Sequence, residues 1–85
     1  MDPEEVRRFA EELKKFNGDL QTNMSSLQAR FAALGDTWKD REHDKFGEEF
    51  RDSMKAMKKF IEASSAHGPF LLRKAKRIEE YLGQR

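Results

Sequence analysis

A row of acidic side chains, spaced four residues apart, comes closest to a chemical motif in this sequence. Its members are Asp36, Asp40, Asp44, Glu48 and Asp52. A four-residue spacing keeps side chains along one face of a helix. Such a row fits a solvated face or a docking stripe for a basic surface, such as Arg51, Lys55 and Lys59 of a second subunit. It fits a metal site poorly, because a helix does not supply the looped cage of oxygens that calcium needs.

A basic cluster follows near the C-terminus. It consists of Arg73, Lys74, Lys76 and Arg77, and residues 69–85 carry a net charge of +3. This composition is suited to nucleic acid or, beside Phe70 and Leu71, to an anionic membrane surface. However, the cluster is short, the pI is only 8.0 and no readout motif accompanies it. We therefore expect nucleic acid not to be the main partner, and binding to nucleic acid or an anionic surface stays as the alternative function.

No catalytic constellation stands out. The chain has no Cys, its Ser residues have no His at a suggestive spacing, and it has only two His residues. His43 lies in a charged segment and is expected to be solvated or ion-paired. His67 precedes a Gly-Pro pair and is placed to bond a carbonyl freed by the proline. We predict a protein that is not an enzyme and that has no cofactor and no metal site.

The composition describes one small domain, 1–85, that needs support from another chain. A chain of 85 residues buries a modest fraction of its surface, and without Cys it has no disulfide. Oligomerisation is the stabilising device that remains. Charged residues make up 39%, which suits exposed amphipathic helices. The acidic start and the absence of a long apolar run predict neither a signal peptide nor a transmembrane segment.

Residues 3–34 are predicted to form the first helix. Asp2 is a suitable N-cap and Pro3 a suitable first helical residue. Apolar residues then recur every three or four positions, and the series Val6, Leu13, Leu20, Leu27 and Leu34 repeats at seven, which is typical of a coiled-coil seam. Gly18 interrupts this pattern, either as a tolerated helix glycine or as a point of close approach for a neighbouring helix.

Residues 35–38 are predicted to form the turn, with Trp38 packed against it. Gly35, Asp36 and Thr37 give the strongest break signal in the first 67 residues. Thr37 is the expected N-cap of the second helix, because Asp40 follows it as in a capping box, although Asp36 or Asp40 would also serve. The second helix is predicted to span residues 38–82.

The Gly68-Pro69 pair is the main fault in the second helix. A proline inside a helix removes a hydrogen bond and costs about 3 kcal/mol. We favour one continuous, kinked helix, because the seven-residue phase of Phe50, Met57, Ser64, Leu71 and Ile78 is kept across the pair. The alternative is a helix that ends at Gly68 and a short third helix that starts with Pro69.

A hairpin folded at residue 36 places Pro3 opposite roughly residue 70, because both helices rise ~1.5 Å per residue. The apolar residues after Phe70 then overhang the first helix and imply contact with another chain. The rival is a tail that folds back over the hairpin. We predict a homodimer, with a heterodimer with a paralogue left open. Its core is predicted to contain Phe9, Leu13, Phe16, Leu20, Leu27, Phe31, Phe46, Phe50, Met57 and Ile61.

Two helices joined at a lone Trp resemble the small Trp-x-Gly (WxG) proteins related to the early secreted antigen of mycobacteria, an ESAT-like superfamily. The sequence Trp38-Lys39-Asp40 is more similar to a Gram-negative branch, which includes a Helicobacter protein and has Trp-x-Asp in the turn. The opening from Glu4 to Phe9 and the segment from Asp44 to Phe46 also resemble that branch. The resemblance spans nearly the whole chain.

The resemblance implies an all-α helical hairpin that dimerises into an antiparallel four-helix bundle and acts as a protein-interaction or adaptor module. It makes Trp38 and Asp40 at the turn, and Phe70 and Leu71 on the tail, the expected partner-binding residues. Main-family members are exported without a signal peptide, and their signal includes an acid four residues after a C-terminal Tyr. Here Arg85 stands at that distance from Tyr81. Both a cytoplasmic location and signal-peptide-independent secretion therefore stay open.

Overall fold

Two long antiparallel α-helices make up the fold. A computed structural model describes residues 2–83, in which α1 spans Pro3–Leu34 and α2 spans Arg41–Gly83. No strand is present in this range, and the molecule is a rod of 68 × 16 × 14 Å. The all-α hairpin predicted from the helical periodicity is therefore confirmed.

Short-range capping sets the starts of both helices. Asp2 accepts a hydrogen bond from the backbone N–H of Glu4 at 2.9 Å, and Pro3 follows as the first residue of α1. Asp40, rather than Thr37, caps α2, because its Oδ1 accepts the backbone N–H of His43 at 3.0 Å. The structure accordingly has α2 begin at Arg41, three residues after the predicted start at 38.

Pro69 lies inside α2, which continues through it to Gly83. The third helix considered as the alternative is therefore absent from residues 2–83. His67 does not bond a carbonyl freed by the proline, which would be that of Ser65. Its Nδ1 is instead hydrogen-bonded to the carbonyl oxygen of Ala63 at 2.8 Å.

The contact line between the helices is built mostly from small residues. Its buried members are Ala10, Asn17, Met24, Gly47, Met54, Ser64 and Ala75. The leucines at seven-residue spacing lie beside this line, half-buried or exposed, so the predicted seam is displaced around α1. Gly18 is not a point of close approach within the hairpin, because a Cβ added there would have nothing within 4 Å of it.

Gly47 is the glycine that permits close packing. A Cβ added at this position would lie 3.3 Å from Cζ of Phe31. The ring of Phe31 therefore occupies the space that a side chain at 47 would need, and it packs directly on the backbone of α2.

Two cross-helix pairs define the register. Asn17 Nδ2 donates to Ser64 Oγ at 2.7 Å, and Arg7 donates to both carboxylate oxygens of Glu79, with Nη2 lying 2.7 Å from Oε2. These pairs place the fold point near residue 40 rather than 36. The predicted overhang of everything after Phe70 is therefore wrong, because α1 runs alongside α2 as far as Glu79. The fold point differs from the predicted one because six residues, 35–40, separate the two helices.

We predict that the Asn17–Ser64 hydrogen bond specifies register at little net gain in stability. Ser64→Ala leaves a buried amide without its partner and should lower the free energy of unfolding by about 1–3 kcal/mol. Combining it with Asn17→Leu removes both polar groups and should recover most of this loss. Urea unfolding followed by circular dichroism at a fixed protein concentration measures both effects. A double variant as unstable as Ser64→Ala would contradict this account.

Candidate interaction surface

One long face of the hairpin carries large apolar side chains that the chain itself does not cover. Phe9 is 57% exposed and Phe16 is 54% exposed, although both are aromatic. Phe16 meets Phe60 of α2 edge-on, with ring centroids 6.2 Å apart, so both helices contribute to the same surface. We call this surface the apolar face. We assign to it the exposed large apolar side chains of α1 and of the first half of α2, which are Phe9, Phe16, Leu27, Leu34, Phe46 and Phe60.

None of the ten residues predicted for a dimer core is buried in the single chain. Those that lie half-buried are Leu13, Leu20, Phe31, Phe50, Met57 and Ile61, and those that lie exposed are Phe9, Phe16, Leu27 and Phe46. No large side chain of residues 2–83 is fully buried. The hairpin alone therefore lacks a thick core, and its main apolar residues remain available to a second chain.

Aromatic rings order the end of the rod that carries the turn. Phe31 stacks on His43 with ring centroids 4.9 Å apart and on Phe50 at the same separation. Trp38 meets the other side of this group edge-on, 5.0 Å from the His43 ring. The expectation that Trp38 packs at the turn agrees with this geometry, in which the indole is half-buried.

Of the two environments predicted for His43, solvated or ion-paired, the structure contradicts the first and places a carboxylate beside the ring. Its side chain is only 17% exposed, and its buried Nε2 has no hydrogen-bond partner among the described residues. Its Nδ1 lies 3.7 Å from a carboxylate oxygen of Asp44. Because Phe31 and Trp38 enclose the ring, His43 acts mainly as an aromatic spacer between the turn and the helices.

Asp40 combines the N-cap of α2 with a position beside Trp38. The hydrogen bond from the backbone N–H of His43 holds the pKa of the Asp40 carboxyl below its ordinary value, against a smaller opposing effect of burial. A hydrogen bond from the Trp38 side chain acts in the same direction. The carboxylate therefore fixes the start of α2.

The tail of α2 carries the remaining predicted site residues. Phe70 is exposed and Leu71 is half-buried, and the basic residues Arg73, Lys74, Lys76 and Arg77 are all exposed. Ala75, on the side that faces α1, is completely buried. The structure thus separates the tail into a side that packs in the hairpin and a basic side that does not. The tail lies far from Trp38 and Asp40, at the opposite end of the rod.

The acidic row lies on the surface, and all five of its members are exposed. Within residues 2–83, no group of three or more His, Asp or Glu side chains is arranged to hold a metal ion. No helix of the described chain is long and apolar enough to cross a membrane. The position of Arg85 relative to Tyr81 lies outside the described residues.

Several residues of structural importance have little signal in the sequence. Arg7 and Glu79 clasp the open end of the hairpin, and the hydrogen bond to Glu79 raises the pKa of Arg7. Asn17 has no apolar character, so hydrophobic periodicity could not place it on the contact line. Ser64, however, belongs to the seven-residue series of α2, and its place in that series indicates a position that faces α1.

Comparison with known proteins gives consistent matches. The family WXG100, described as proteins of 100 residues with WXG, matches residues 1–81. Two crystal structures of the secreted protein EsxB from Bacillus anthracis strain Sterne are similar. The wild-type structure has 28% identity and a TM-score of 0.73, covering 91% of this chain and 83% of that one. The selenomethionine-labelled structure has 28% identity and a TM-score of 0.74, covering 93% and 96%. No curated protein matches significantly.

We predict that Asp40 contributes acid-sensitive stability. Asp40→Ala should lower the Tm by a few degrees, because it removes the cap of α2, whereas Asp36→Ala should have little effect. Since the pKa of Asp40 is lowered from its ordinary value of 3.8, its contribution is present above that pH and is lost as the pH falls through the depressed pKa.

Asp40→Asn provides the control for this pH dependence, because asparagine keeps the acceptor and does not titrate. Thermal unfolding measured from neutral pH to pH 2 should show a smaller loss of Tm for Asp40→Asn than for the parent chain. Equal losses in the two proteins would show that Asp40 is not responsible.

Proposed function

The chain belongs to the WXG100 family, and we propose that it is a non-enzymatic protein-interaction module that works as an antiparallel homodimer. Family membership agrees with the resemblance recognised in the sequence. The proposal goes further, since it assigns an assembly, a binding role and a location to this chain.

The observation that carries the proposal is the uncovered apolar face. Fully burying one Phe or Leu side chain stabilises an assembly by about 1.5–3 kcal/mol, so several exposed together are costly in water. The contact line is already occupied by small residues and by Met24 and Met54, and these side chains lie outside it. A second copy that places its own apolar face against this one would bury both and complete a four-helix bundle.

The distribution of charge along α2 supports the antiparallel orientation. Residues 36–52, at the turn, contain seven acidic and four basic residues, whereas residues 69–85 carry a net charge of +3. Parallel copies would bring like charges together at both ends of the bundle. Antiparallel copies bring the acidic start of α2 in one subunit near the basic end of α2 in the other. A paralogue that forms a heterodimer with this chain would cover the same apolar face.

We assign partner recognition to the two ends of the rod, at Trp38 with Asp40 and at Phe70 with Leu71. Both ends present an aromatic side chain that is not buried. Half-buried Trp residues held in a fixed orientation are typical anchors of protein interfaces. Trp38→Ala should reduce partner capture while helicity is unchanged, and retained capture would remove the turn from the interface.

Secretion without a signal peptide is the location that we propose. Support comes from the likeness to EsxB, which is described as a secreted protein. We expect the chain to accumulate in the medium of its native host while a cytoplasmic marker stays in the cells. Retention of the chain together with the marker would contradict export, and Arg85→Glu would then test whether the missing acid is the reason.

We predict that Phe9→Glu/Phe16→Glu converts the dimer to a helical monomer. Sedimentation equilibrium at micromolar concentration should give twice the 10.0 kDa chain mass for the parent protein. The double variant should weaken association by roughly 100-fold or more, because each subunit loses two buried aromatic anchors and gains two charges.

Gln21→Glu/Gln28→Glu is the matched control. It adds the same charge to the same helix with the same seven-residue spacing, about 120° around α1 from the phenylalanines. This control should remain dimeric. A parent chain that sediments as a monomer, or a control that dissociates as readily as the phenylalanine variant, would overturn the proposed assembly.

A further inference from the structure

A groove runs lengthwise between α1 and α2, and we call it the interhelix groove. It has two adjoining parts, of about 600 Å³ toward the turn and about 480 Å³ toward the open end of the hairpin, and Gln21 and Ile61 line both. Its lining in α1 runs from Ala10 to Ala32, which is about 33 Å at ~1.5 Å per residue. Both helices form its walls, so the groove is concave between them.

The rims of the interhelix groove are separate from the proposed dimer face. Gln21 and Gln28 lie about 120° around α1 from the two phenylalanines that α1 contributes to the apolar face. On α2, Arg51, Lys55 and Lys58 lie about 120–180° from the two phenylalanines that α2 contributes. A second copy that covers the apolar face therefore leaves the groove open on the other side of the hairpin.

The two rims differ in charge. On α2, Arg51, Lys55 and Lys58 form a cationic rim, and among residues 2–83 no carboxylate lies within salt-bridge distance of them. Glu62 is the single carboxylate among the described lining residues, and the facing rim of α1 in this part carries only uncharged side chains. The floor between the rims includes two buried methionines. An occupant suited to this groove has an apolar stripe and negative charge on the side that faces α2.

Each helix contributes a glycine to the interhelix groove, Gly18 from α1 and Gly68 from α2. Neither is needed for packing within the hairpin, because a Cβ added at either position would have nothing within 4 Å of it. Glycine inside a helix is less favourable than alanine, so the isolated hairpin gains nothing from these two residues. Bare backbone on both walls allows a further helix to approach closely.

Asn17 supplies an unpaired polar atom to the part of the groove that holds the two glycines. The residue is 6% exposed and belongs to the lining. Its Nδ2 donates to Ser64, but its buried Oδ1 has no hydrogen-bond partner within the described range. Buried polar atoms are normally hydrogen-bonded, so a donor from outside the hairpin is expected at this point.

We infer that the interhelix groove binds an amphipathic helix of another protein, with its apolar stripe on the floor and acidic residues against the α2 rim. A straight groove of about 33 Å between two helices has the length of a third helix of about six turns. A flat bilayer does not reach a floor that is recessed between two helices. Nucleic acid requires a longer series of phosphate contacts than one rim of three cations supplies.

This inference rests on the proposed function in one respect, because it names a partner for an interaction module. The two can nevertheless fail separately. The groove is formed within one chain, whereas the proposed dimer uses the apolar face. Helix binding and chain mass are therefore independent measurements on the same variants.

The test uses the full chain and fluorescence anisotropy. The probe, which we call the acidic helix, is a fluorescein-labelled helical peptide of about 20 residues, with a stripe of Leu and Ala flanked by Glu on one side and Gln on the other. The comparison peptide has Lys in place of Glu. We expect one acidic helix to bind per chain, more tightly than the Lys peptide. Equal binding of the two peptides, or binding of neither, would overturn the inference.

Gly18→Leu fills the open space in the α1 wall. It should weaken binding of the acidic helix roughly tenfold or more without lowering the Tm, because leucine is a better helix former than glycine. Ser26→Leu is the matched control, since it adds the same side chain to the side of α1 that faces away from α2, and it should bind as the parent chain does. A higher Tm of Gly18→Leu with unchanged or tighter binding would show a merely tolerated glycine and overturn the inference.

Arg51→Ala/Lys55→Ala/Lys58→Ala tests the cationic rim. It should abolish the preference for the acidic helix over the Lys peptide, because the charge that distinguishes the two is then absent from the groove. Sedimentation should show this variant as the same dimer as the parent chain, since the rim lies away from the apolar face.

Arg73→Ala/Lys74→Ala/Arg77→Ala is the control for charge, because it removes three cations from another part of α2. It should bind the acidic helix as the parent chain does, and equal weakening by both triple variants would overturn the inference in favour of nonspecific attraction. Tighter binding to single-stranded DNA or to phosphatidylserine vesicles than to the acidic helix would also overturn it. So would a parent chain that sediments as a species larger than a dimer, with further copies in the groove. A monomeric parent chain that binds the acidic helix would contradict the proposed dimer alone.

Discussion

The close contact between the two helices depends mostly on small side chains, with Met24 and Met54 buried among them. Ala10, Asn17, Ser64 and Ala75 bring the backbones together, and Gly47 lets the ring of Phe31 rest on α2. Because these residues occupy the contact line, larger apolar side chains must lie beside it. The hairpin gains close packing between its helices and gives up the possibility of covering its own phenylalanines.

That constraint links the stability of the chain to its function. A hairpin without a single fully buried large side chain obtains little hydrophobic stabilisation alone. Its apolar residues are concentrated on one face, as expected of a surface that a second chain covers. In the proposed dimer, folding and association are coupled, and a change at Phe16 would be expected to affect the assembly more than the helix that carries it.

Sequence periodicity predicted the helices well because helical amphipathicity is a local property. Asp2 and Pro3 likewise marked the start of α1 correctly, since capping depends on neighbouring residues. The side of each helix that contacts the other helix was harder to predict from the sequence. The strongest apolar series lies beside the contact between the helices, whereas that contact uses weakly hydrophobic residues such as Asn17 and Ser64.

The register of the hairpin shows why local signals are insufficient. With Thr37 rather than Asp40 as the cap of α2, the expected fold point lies a few residues too early in the chain. Each residue of error in the fold point shifts the α2 residue opposite a given α1 residue by two positions. The tail then seemed to extend beyond α1, although Arg7 reaches Glu79. The tail does not overhang α1, so its length gives no reason for a second chain to cover it.

The continuity of α2 gives the chain its two separate ends. Pro69 sits within the helix without ending it, so the tail extends along α1 and does not fold over the hairpin. Ala75 and the Arg7–Glu79 clasp hold one side of the tail against α1. The cations of Arg73, Lys74 and Arg77 consequently remain in solvent at a fixed distance from the acidic turn. The exposed apolar face and the two ends of α2, one acidic and one basic, are therefore separate surfaces of the rod.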